Sequence, residues 1–416
     1  MNQELLKFLK KTKFAKEFEL FLEQYQKTES GKFAIIKISG STLENHIDSI
    51  SEDIGFLNKF KLYPIVVHGA GAALDKAVSG TKINGIRYTS SDDIKKVRVI
   101  TNELTARLIH KIKLKGGNAE NMSNCLECDF LDKELYGNVG KIINVNAEKI
   151  LNAIREGKTP VFSNVVSDKN GNPFNINADS VAQSLFNHFI PKRLFFITET
   201  GGVLDSENKI IQHINLSDFT DAYGGMLFKL KSIKSIMLAH PNSAVVITSA
   251  PNLIKEIFTI KGSGTFISNF QINKFESKEN VDFAKLADML NSAFNKKLNS
   301  NYFDKNIKAF YIHNDYKAVA IIKDIDKIDY LCKFAVMPSH QGTGLAKYIW
   351  DILNKDYKTL IWRSRSTNLA NNFYNSRCTG MVKSEGWHIY WYGRKYMPIE
   401  FIEKITNIEE SFITGS

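Results

Sequence analysis

The sequence predicts an α/β protein in two parts, a mostly parallel sheet sandwiched by helices and then a smaller α+β domain. Three observations predict it. Short β-branched apolar runs alternate with helical stretches over residues 1–268, the pattern of a parallel sheet covered on both faces. Polar residues without periodicity follow, so a linker is expected at 269–280. The texture then becomes strand-rich around one Gly-rich turn, and a second domain is expected over 281–416. A chain of 416 residues accommodates both units, at roughly 100–200 residues per domain.

Taken in order, Phe14, Phe18, Phe21, Leu22 and Tyr25 fall at helical spacing with Lys and Glu between them. This amphipathic helix either closes the core of its own domain or meets a second copy of the chain. Runs at 33–38, 64–67, 160–162, 194–198 and 244–248 read as buried strands, and helical patterns at 92–114, 147–156, 178–189 and 227–238 lie between them. In the second domain a helix at 281–298 precedes strands at 309–313, 318–323 and 330–336. A Gly-rich turn and a helix come next, then strands at 359–362 and 387–392.

The composition, 43% hydrophobic and 24% charged, excludes disordered and fibrous classes. The net charge of +11 invites a polyanionic partner, but the chain has only nine arginines and its lysines are scattered, which speaks against nucleic acid. Cys125-Leu-Glu-Cys128 has no second pair to complete a metal site, so two idle thiols in a reducing compartment are expected, with no protein-bound metal. No apolar run approaches the roughly 20 residues that cross a bilayer, and the N-terminus reads neither as a signal nor as a transit peptide. A cytoplasmic protein with no membrane partner is expected.

The chemistry-bearing residues of the first domain follow its strands. The first strand delivers Lys37 and then Ser39-Gly40-Ser41, and the second ends in His68-Gly69-Ala70-Gly71. Small residues after a strand let backbone N–H groups approach an anion, and the next helix adds its N-terminal dipole. Asn175-Ile-Asn177-Ala-Asp179 opens a helix, and Gly224-Gly225-Met226 precedes one bearing Lys229. Two lysines, two glycine turns and an aspartate able to orient both lysines supply what phosphoryl transfer needs: in-line positioning and charge neutralisation. No Walker-type motif occurs.

With Lys37–Gly40, Val67–Gly71, Asn84–Thr89, Asn175–Asp179, Gly201-Gly202-Val203, Gly224–Lys229 and Lys261–Thr265 in this order, residues 30–268 resemble the amino-acid kinase family, its acetylglutamate kinases in particular. The resemblance implies that Lys37 and Lys229 contact the migrating phosphoryl group and that Asp179 organises them. It implies N–H donation from Gly40, Gly69 and Gly71, a substrate carboxylate on Arg87, acetylglutamate on Asn175 and Asn177, and nucleotide beside Gly201 and Gly202. MgATP is the implied cosubstrate. Ser39 departs from the family, which usually has a second glycine there; a Cβ at that position could crowd the phosphate.

In the second domain, Gln341-Gly342-Thr343-Gly344-Leu345-Ala346 between strand and helix looks like the pyrophosphate loop of GNAT-type acetyltransferases. Lys333, the run Leu360–Asn368 with Arg363 and Arg365, Phe373-Tyr374 and the aromatic strand Trp387–Tyr392 extend the likeness to the acetyltransferase domain of vertebrate-type N-acetylglutamate synthases. The resemblance implies acetyl-CoA on Gln341, Gly342, Gly344 and Ala346. Chemically, a thiolate leaving group needs a proton, for which Tyr374 is the candidate acid, and Lys333, Arg363, Arg365 and Asn368 are candidates for binding carboxylates or polarising the carbonyl. Together the two likenesses are those of bifunctional N-acetylglutamate synthase/kinases, which form tetramers and respond to arginine near the N-terminal helix and the 261–265 loop. The competing readings are a kinase with a regulatory acetyltransferase-like domain, a synthase with a kinase-like arginine sensor, and a non-catalytic sensing or interaction protein.

Overall fold

The computed structural model describes residues 15–78, 81–83, 85–216, 227–240, 243–259, 262–304, 306–341, 344–368 and 370–413. Phe14, Asn84, Gly224, Gly225, Met226, Lys261, Gly342 and Thr343 lie outside them, and of Lys229 only the helical backbone is described. The chain divides into two compact units, Met1–Asn269 and Phe270–Ser416.

The first unit opens with α1 (Ala15–Gln26), then β1 (Ala34–Ile38), α2 (Gly40–Lys59), β2 (Ile65–His68), α3 (Gly71–Ala77), β3 (Lys82–Ile83), β4 (Ile86–Arg87), α4 (Asp93–Leu114) and β5 (Ala119–Asn121). It continues with β6 (Leu126–Phe130), α5 (Lys133–Tyr136), β7 (Gly140–Val145), α6 (Ala147–Arg155), β8 (Thr159–Phe162), β9 (Val165–Ser167), β10 (Pro173–Asn175) and α7 (Ala178–Phe189). β11 (Arg193–Ile197), β12 (His213–Asn215), α8 (Leu227–Ala239), β13 (Ala244–Thr248), α9 (Leu253–Phe258) and β14 (Thr265–Ser268) complete it.

Eight of these strands form one sheet in the order β12-β14-β13-β11-β1-β2-β8-β5, with only the β13–β14 pair antiparallel. β1, β2, β8, β11 and β13 are buried along their whole length, as strands covered by helices on both faces must be. Their unbroken apolar runs are what made them legible. The short hairpins β3–β4, β6–β7 and β9–β10 lie outside this sheet and are too brief and polar to show periodicity.

α1 closes the core of its own unit. Phe18, Phe21, Leu22 and Tyr25 are all buried, Phe18 packs 4.3 Å from the Phe258 ring of α9, and the Tyr25 hydroxyl donates to the Ile257 carbonyl at 2.9 Å.

The second unit forms a seven-stranded sheet, β15-β16-β17-β18-β19-β21-β20, from β15 (Ile272–Phe275), β16 (Ile307–His313), β17 (Ala318–Ile325), β18 (Ile328–Val336), β19 (Leu360–Arg365), β20 (Gly380–Ser384) and β21 (Trp387–Tyr392). Its helices are α10 (Phe283–Phe294), α11 (Leu345–Asp356), α12 (Asn371–Asn375) and α13 (Ile399–Thr406). β15 corrects the expected linker at 269–280: those residues contain an edge strand that pairs antiparallel with β16. Its two central side chains, Asn273 and Lys274, are exposed and its two end residues half-buried, so no apolar run marks it.

β18 departs from a regular ladder twice. A register shift at Cys332 places an extra residue between the pairs Leu331–Ile322 and Lys333–Ile321. β18 then meets its parallel neighbour β19 only at Tyr330 and Ile361. The ladder is limited to that pair, and β18 runs on to Val336 without pairing further with β19.

Tyr25→Phe is expected to lower unfolding free energy by about 1 kcal/mol, because the Ile257 carbonyl loses its donor. A shifted urea midpoint at unchanged m would record it.

Candidate functional sites

β1 is an apolar strand with one exception. Lys37 is 6% exposed and its ammonium lies 2.5 Å from Asp179 Oδ1, itself on an 8% exposed residue in the first turn of α7. A lysine in a doubly covered strand is costly unless it is paired, and this pairing meets that condition. Asn177 caps α7 by accepting from the Asp179 amide at 2.8 Å, so it holds the carboxylate's backbone in place. Its side-chain oxygen thereby works for the helix.

The two glycine turns flank this pair. β1 and β2 run in register, Lys37 beside Val67 and Ile38 beside His68, and the Gly69 amide donates to the Ile38 carbonyl at 3.1 Å. A Cβ on Gly40 would collide with the Gly71 amide nitrogen, so the turns pack backbone to backbone. At Gly71 a Cβ would meet no protein atom within 4 Å, so packing does not require glycine there, and its absence of side chain leaves the approach to the amides open.

Ser39, the departure from the family pattern, has φ −69°, needs no glycine freedom, and caps α2 by accepting from the Thr42 amide at 3.3 Å. The first turn of α2 therefore offers its dipole beside Lys37.

On the other side of β1, β11 pairs Phe196 with Lys37 and leads into the Thr198–Gly202 turn. Gly201 sits at φ +70°, its amide held by the Thr198 hydroxyl at 3.2 Å, while a side chain on Gly202 would strike Ile210 and Thr265. Lys37, both glycine turns, Asp179 and Gly201-Gly202 thus gather at the carboxyl ends of β1, β2 and β11, where the order of the sheet reverses direction.

Arg87 is bound to Asp75 of α3 and donates to the Val78 carbonyl at 2.9 Å. Asn175 donates to the Thr89 hydroxyl at 3.1 Å and accepts from Asn164 at 2.9 Å. Asn164 escaped sequence reading although it stands two residues after β8, and that after-strand position was the available signal. His68 is fully buried against the Thr105 hydroxyl at 2.9 Å, and burial pushes its pKa down to about 4, which makes it a neutral packing residue. Cys125 and Cys128 are free and buried, with both thiols pushed up by burial. Among the described residues no group of three His, Cys, Asp or Glu could hold a metal.

In the second unit, Gly344 is the N-cap of α11 at φ +84°, and no side chain caps the helix there. Tyr374 is buried among Trp350, Trp362 and Tyr390, and burial raises the pKa of its phenol. Lys333 follows the β18 bulge, 8% exposed, its ammonium 4.9 Å from the Tyr302 ring and 5.1 Å from the Phe412 ring; burial lowers its pKa.

The arginines serve the chain's own C-terminal segment. Arg363 donates to the carbonyls of Ile405, Thr406 and Ile408 at 2.8, 2.7 and 2.5 Å and stacks on Trp387, while Arg365 stacks on the same ring and pairs with Glu410. Arg363 is thus a C-terminal cap for α13, a role invisible from its place in β19. Asn368 accepts from the Ala370 amide at 2.9 Å and shapes the entry to α12.

These features define a phosphate-handling α/β unit and an acetyltransferase-type α+β unit on one chain. Residues 32–249 match the amino acid kinase family, and residues 272–413 match the N-acetyltransferase of N-acetylglutamate synthase. The chain is 34% identical to the acetylglutamate kinase of Xylella fastidiosa (strain Temecula1), covering 91% of this chain and 94% of that protein. It is 25% identical to human mitochondrial N-acetylglutamate synthase, covering 87% of this chain and 69% of that one. The structure of N-acetylglutamate synthase from Neisseria gonorrhoeae, complexed with coenzyme A and N-acetyl-glutamate, shares the fold with a TM-score of 0.62 at 15% identity, over 92% of this chain and 99% of that chain. The chain belongs to the amino acid kinase family, in its branch with a C-terminal N-acetyltransferase domain.

Two outcomes are expected. Gly40→Ala should abolish phosphoryl transfer while leaving acetyl transfer measurable, because the added methyl drives the two glycine turns apart. The pH dependence of stability follows from His68, whose folded pKa of about 4 lies below its unfolded value of about 6.5. The unfolded chain binds more protons between those values, so stability falls as pH drops through that window. Urea melts at pH 7 and pH 5 should show wild type losing about 2 kcal/mol more than His68→Gln.

Proposed function

We propose that this chain carries out two consecutive reactions of arginine biosynthesis. The second unit acetylates L-glutamate from acetyl-CoA; the first phosphorylates the resulting N-acetylglutamate with MgATP to an acyl phosphate. The observation that carries the reading is the buried Lys37–Asp179 pair between two abutting glycine turns, on a chain that also holds the acetyltransferase fold.

In the kinase reaction a carboxylate oxygen of acetylglutamate attacks the γ-phosphorus and ADP departs. The phosphoryl oxygens carry the charge in transit, and Lys37, the amides of Gly40, Gly69 and Gly71, and the α2 dipole neutralise it. Asp179 fixes the Lys37 ammonium in position. Lys229 is assigned the matching role on the leaving side by family resemblance, with Gly201 and Gly202 bordering the nucleotide. In the acetyltransferase reaction the neutral amine of glutamate attacks the thioester carbonyl, the C–S bond breaks, Tyr374 protonates the departing thiolate, and the proton the nitrogen gives up to water is the one that restores the Tyr374 phenol. Gln341, Gly342, Gly344 and Ala346 hold CoA, and Lys333 and Arg365 are the cations for glutamate's carboxylates.

A second reading has its own observation. Arg363 and Arg365 are engaged by the chain's own carbonyls and by Glu410, which suits an acetyltransferase-like unit kept for regulation beside an active kinase.

Arginine as an effector, bound where α1 and the 262–265 loop approach α9, belongs to the proposal as well. Tyr25 bonds α9 there, and the Glu256 carboxylate accepts from the Gly264 amide at 2.6 Å. So does assembly into a homo-oligomer through the first unit. No described helix is long and apolar enough to cross a membrane. The free thiols suit a reducing compartment, and we assign the cytoplasm.

Purified protein given acetyl-CoA and glutamate should release free thiol, and given MgATP and acetylglutamate should release ADP. ADP release should fall by at least tenfold in Lys229→Ala while thiol release is unchanged. Equal ADP release would remove the kinase assignment, and absence of thiol release would leave the regulatory reading.

A further inference from the structure

Asn164 stands in the turn between β8 and β9, 4% exposed, at the same carboxyl edge of the sheet as Lys37. Its main-chain carbonyl accepts from the Ile176 amide at 2.8 Å, which ties the turn to the segment leading into α7. Its side chain makes two further bonds: Nδ2 donates to Asn175 Oδ1 at 2.9 Å, and Oδ1 accepts from the Thr101 hydroxyl of α4 at 3.4 Å. Asn175 passes the chain on by donating to Thr89 Oγ1 at 3.1 Å, and the Thr89 hydroxyl donates to the Arg87 carbonyl at 3.3 Å. Four side chains therefore run in series from the buried face of α4 to the strand that carries Arg87.

The chemical consequence lies in Asn175. An asparagine amide can present either its donor or its acceptor end, and only its partners decide which. Asn164 offers a donor on one side and Thr89 an acceptor on the other, because the Thr89 proton is spent on Arg87. A flipped Asn175 would set NH2 against NH2. Its oxygen is thereby taken, and one Nδ2 hydrogen goes to Thr89, which leaves the second Nδ2 hydrogen as the group it can offer a ligand. An acetamido or carboxylate oxygen is the partner that such a donor selects.

We propose that Asn164 is a positioning residue for the acceptor substrate: it fixes the Asn175 amide in the orientation that donates to N-acetylglutamate. The inference rests on the kinase reading above. It assigns Asn164 no contact with substrate, and because the Ile176 bond is made by the main chain, a side-chain substitution leaves that tie in place.

The test is ADP release by the full-length protein, titrating acetylglutamate at saturating MgATP and MgATP at saturating acetylglutamate. Asn164→Ala should raise KM for acetylglutamate roughly five- to twentyfold, the range expected when a buried hydrogen bond is lost and its partner left unpaired. KM for ATP and kcat should stay within about twofold. In the Asn175→Ala background the same substitution should add nothing, because Asn164 acts through Asn175. Thr101→Val, which keeps the volume and removes the hydroxyl that orients Asn164, should move KM for acetylglutamate the same way by about two- to fourfold. It serves as the independent measurement if Asn164→Ala folds poorly. An unchanged KM for acetylglutamate in both variants, an equal loss for both substrates, or additive effects in the double variant would overturn the proposal. Wild-type protein that releases no ADP with acetylglutamate would instead sink the kinase reading itself.

Discussion

The first unit is organised around one ammonium that has no business in an apolar strand. Lys37 lies between Ile36 and Ile38, both wholly buried, and is tolerable there only because Asp179 reaches it from the start of α7. That requirement fixes much else. α7 must begin at the carboxyl end of the sheet, so Asn177 caps it there, and the preceding residues Asn175 and Ile176 are bonded to Asn138 and Asn164. The neighbouring strands must end level with β1, so that both glycine turns and the Thr198–Gly202 turn face the same charge. A buried charged pair adds little net stability compared with apolar packing, so its presence speaks for the chemistry it serves.

The second unit is arranged around a break. β18 carries an extra residue at Cys332 and pairs with its parallel neighbour β19 at one position only, on the strand that leads toward α11. The cations around that region are not free-standing. Lys333 is sandwiched by the rings of Tyr302 and Phe412, and the two arginines share the Trp387 face while holding the segment from Ile405 to Glu410. Residues 405–412 are therefore part of this site's architecture.

The sequence made most of the framework legible because its strands are buried on both faces and so appear as unbroken apolar runs; β1, β11 and β13 are the clearest cases. Elements with one polar side escaped. β15 reads as linker because Asn273 and Lys274 are polar and exposed, and β20 has no continuous apolar run. Site residues were recognisable by type and order, since lysines, glycines and an aspartate after strands point to anions whatever their partners. Their partners were not recognisable, because contacts between different elements leave no local pattern, whether the partner is 11 residues away, as Asn164 is from Asn175, or 45, as Glu410 is from Arg365. Asp75 for Arg87, Asn164 for Asn175 and Glu410 for Arg365 each belong to another element, and no periodicity joins them. Arg363 shows the limit most clearly: nothing in β19 announces that its fork closes a helix more than forty residues away.

The central claim, that the Lys37–Asp179 pair is kept for phosphoryl transfer and not for folding, has a direct test in the double variant Lys37→Met/Asp179→Leu. Replacing a buried ion pair with apolar side chains of similar size is often neutral or stabilising by about 1–4 kcal/mol. The account predicts a urea midpoint at or above that of wild type, intact acetyl transfer, and acetylglutamate-dependent ADP release reduced to background. A double variant that still releases ADP at the wild-type rate would contradict it.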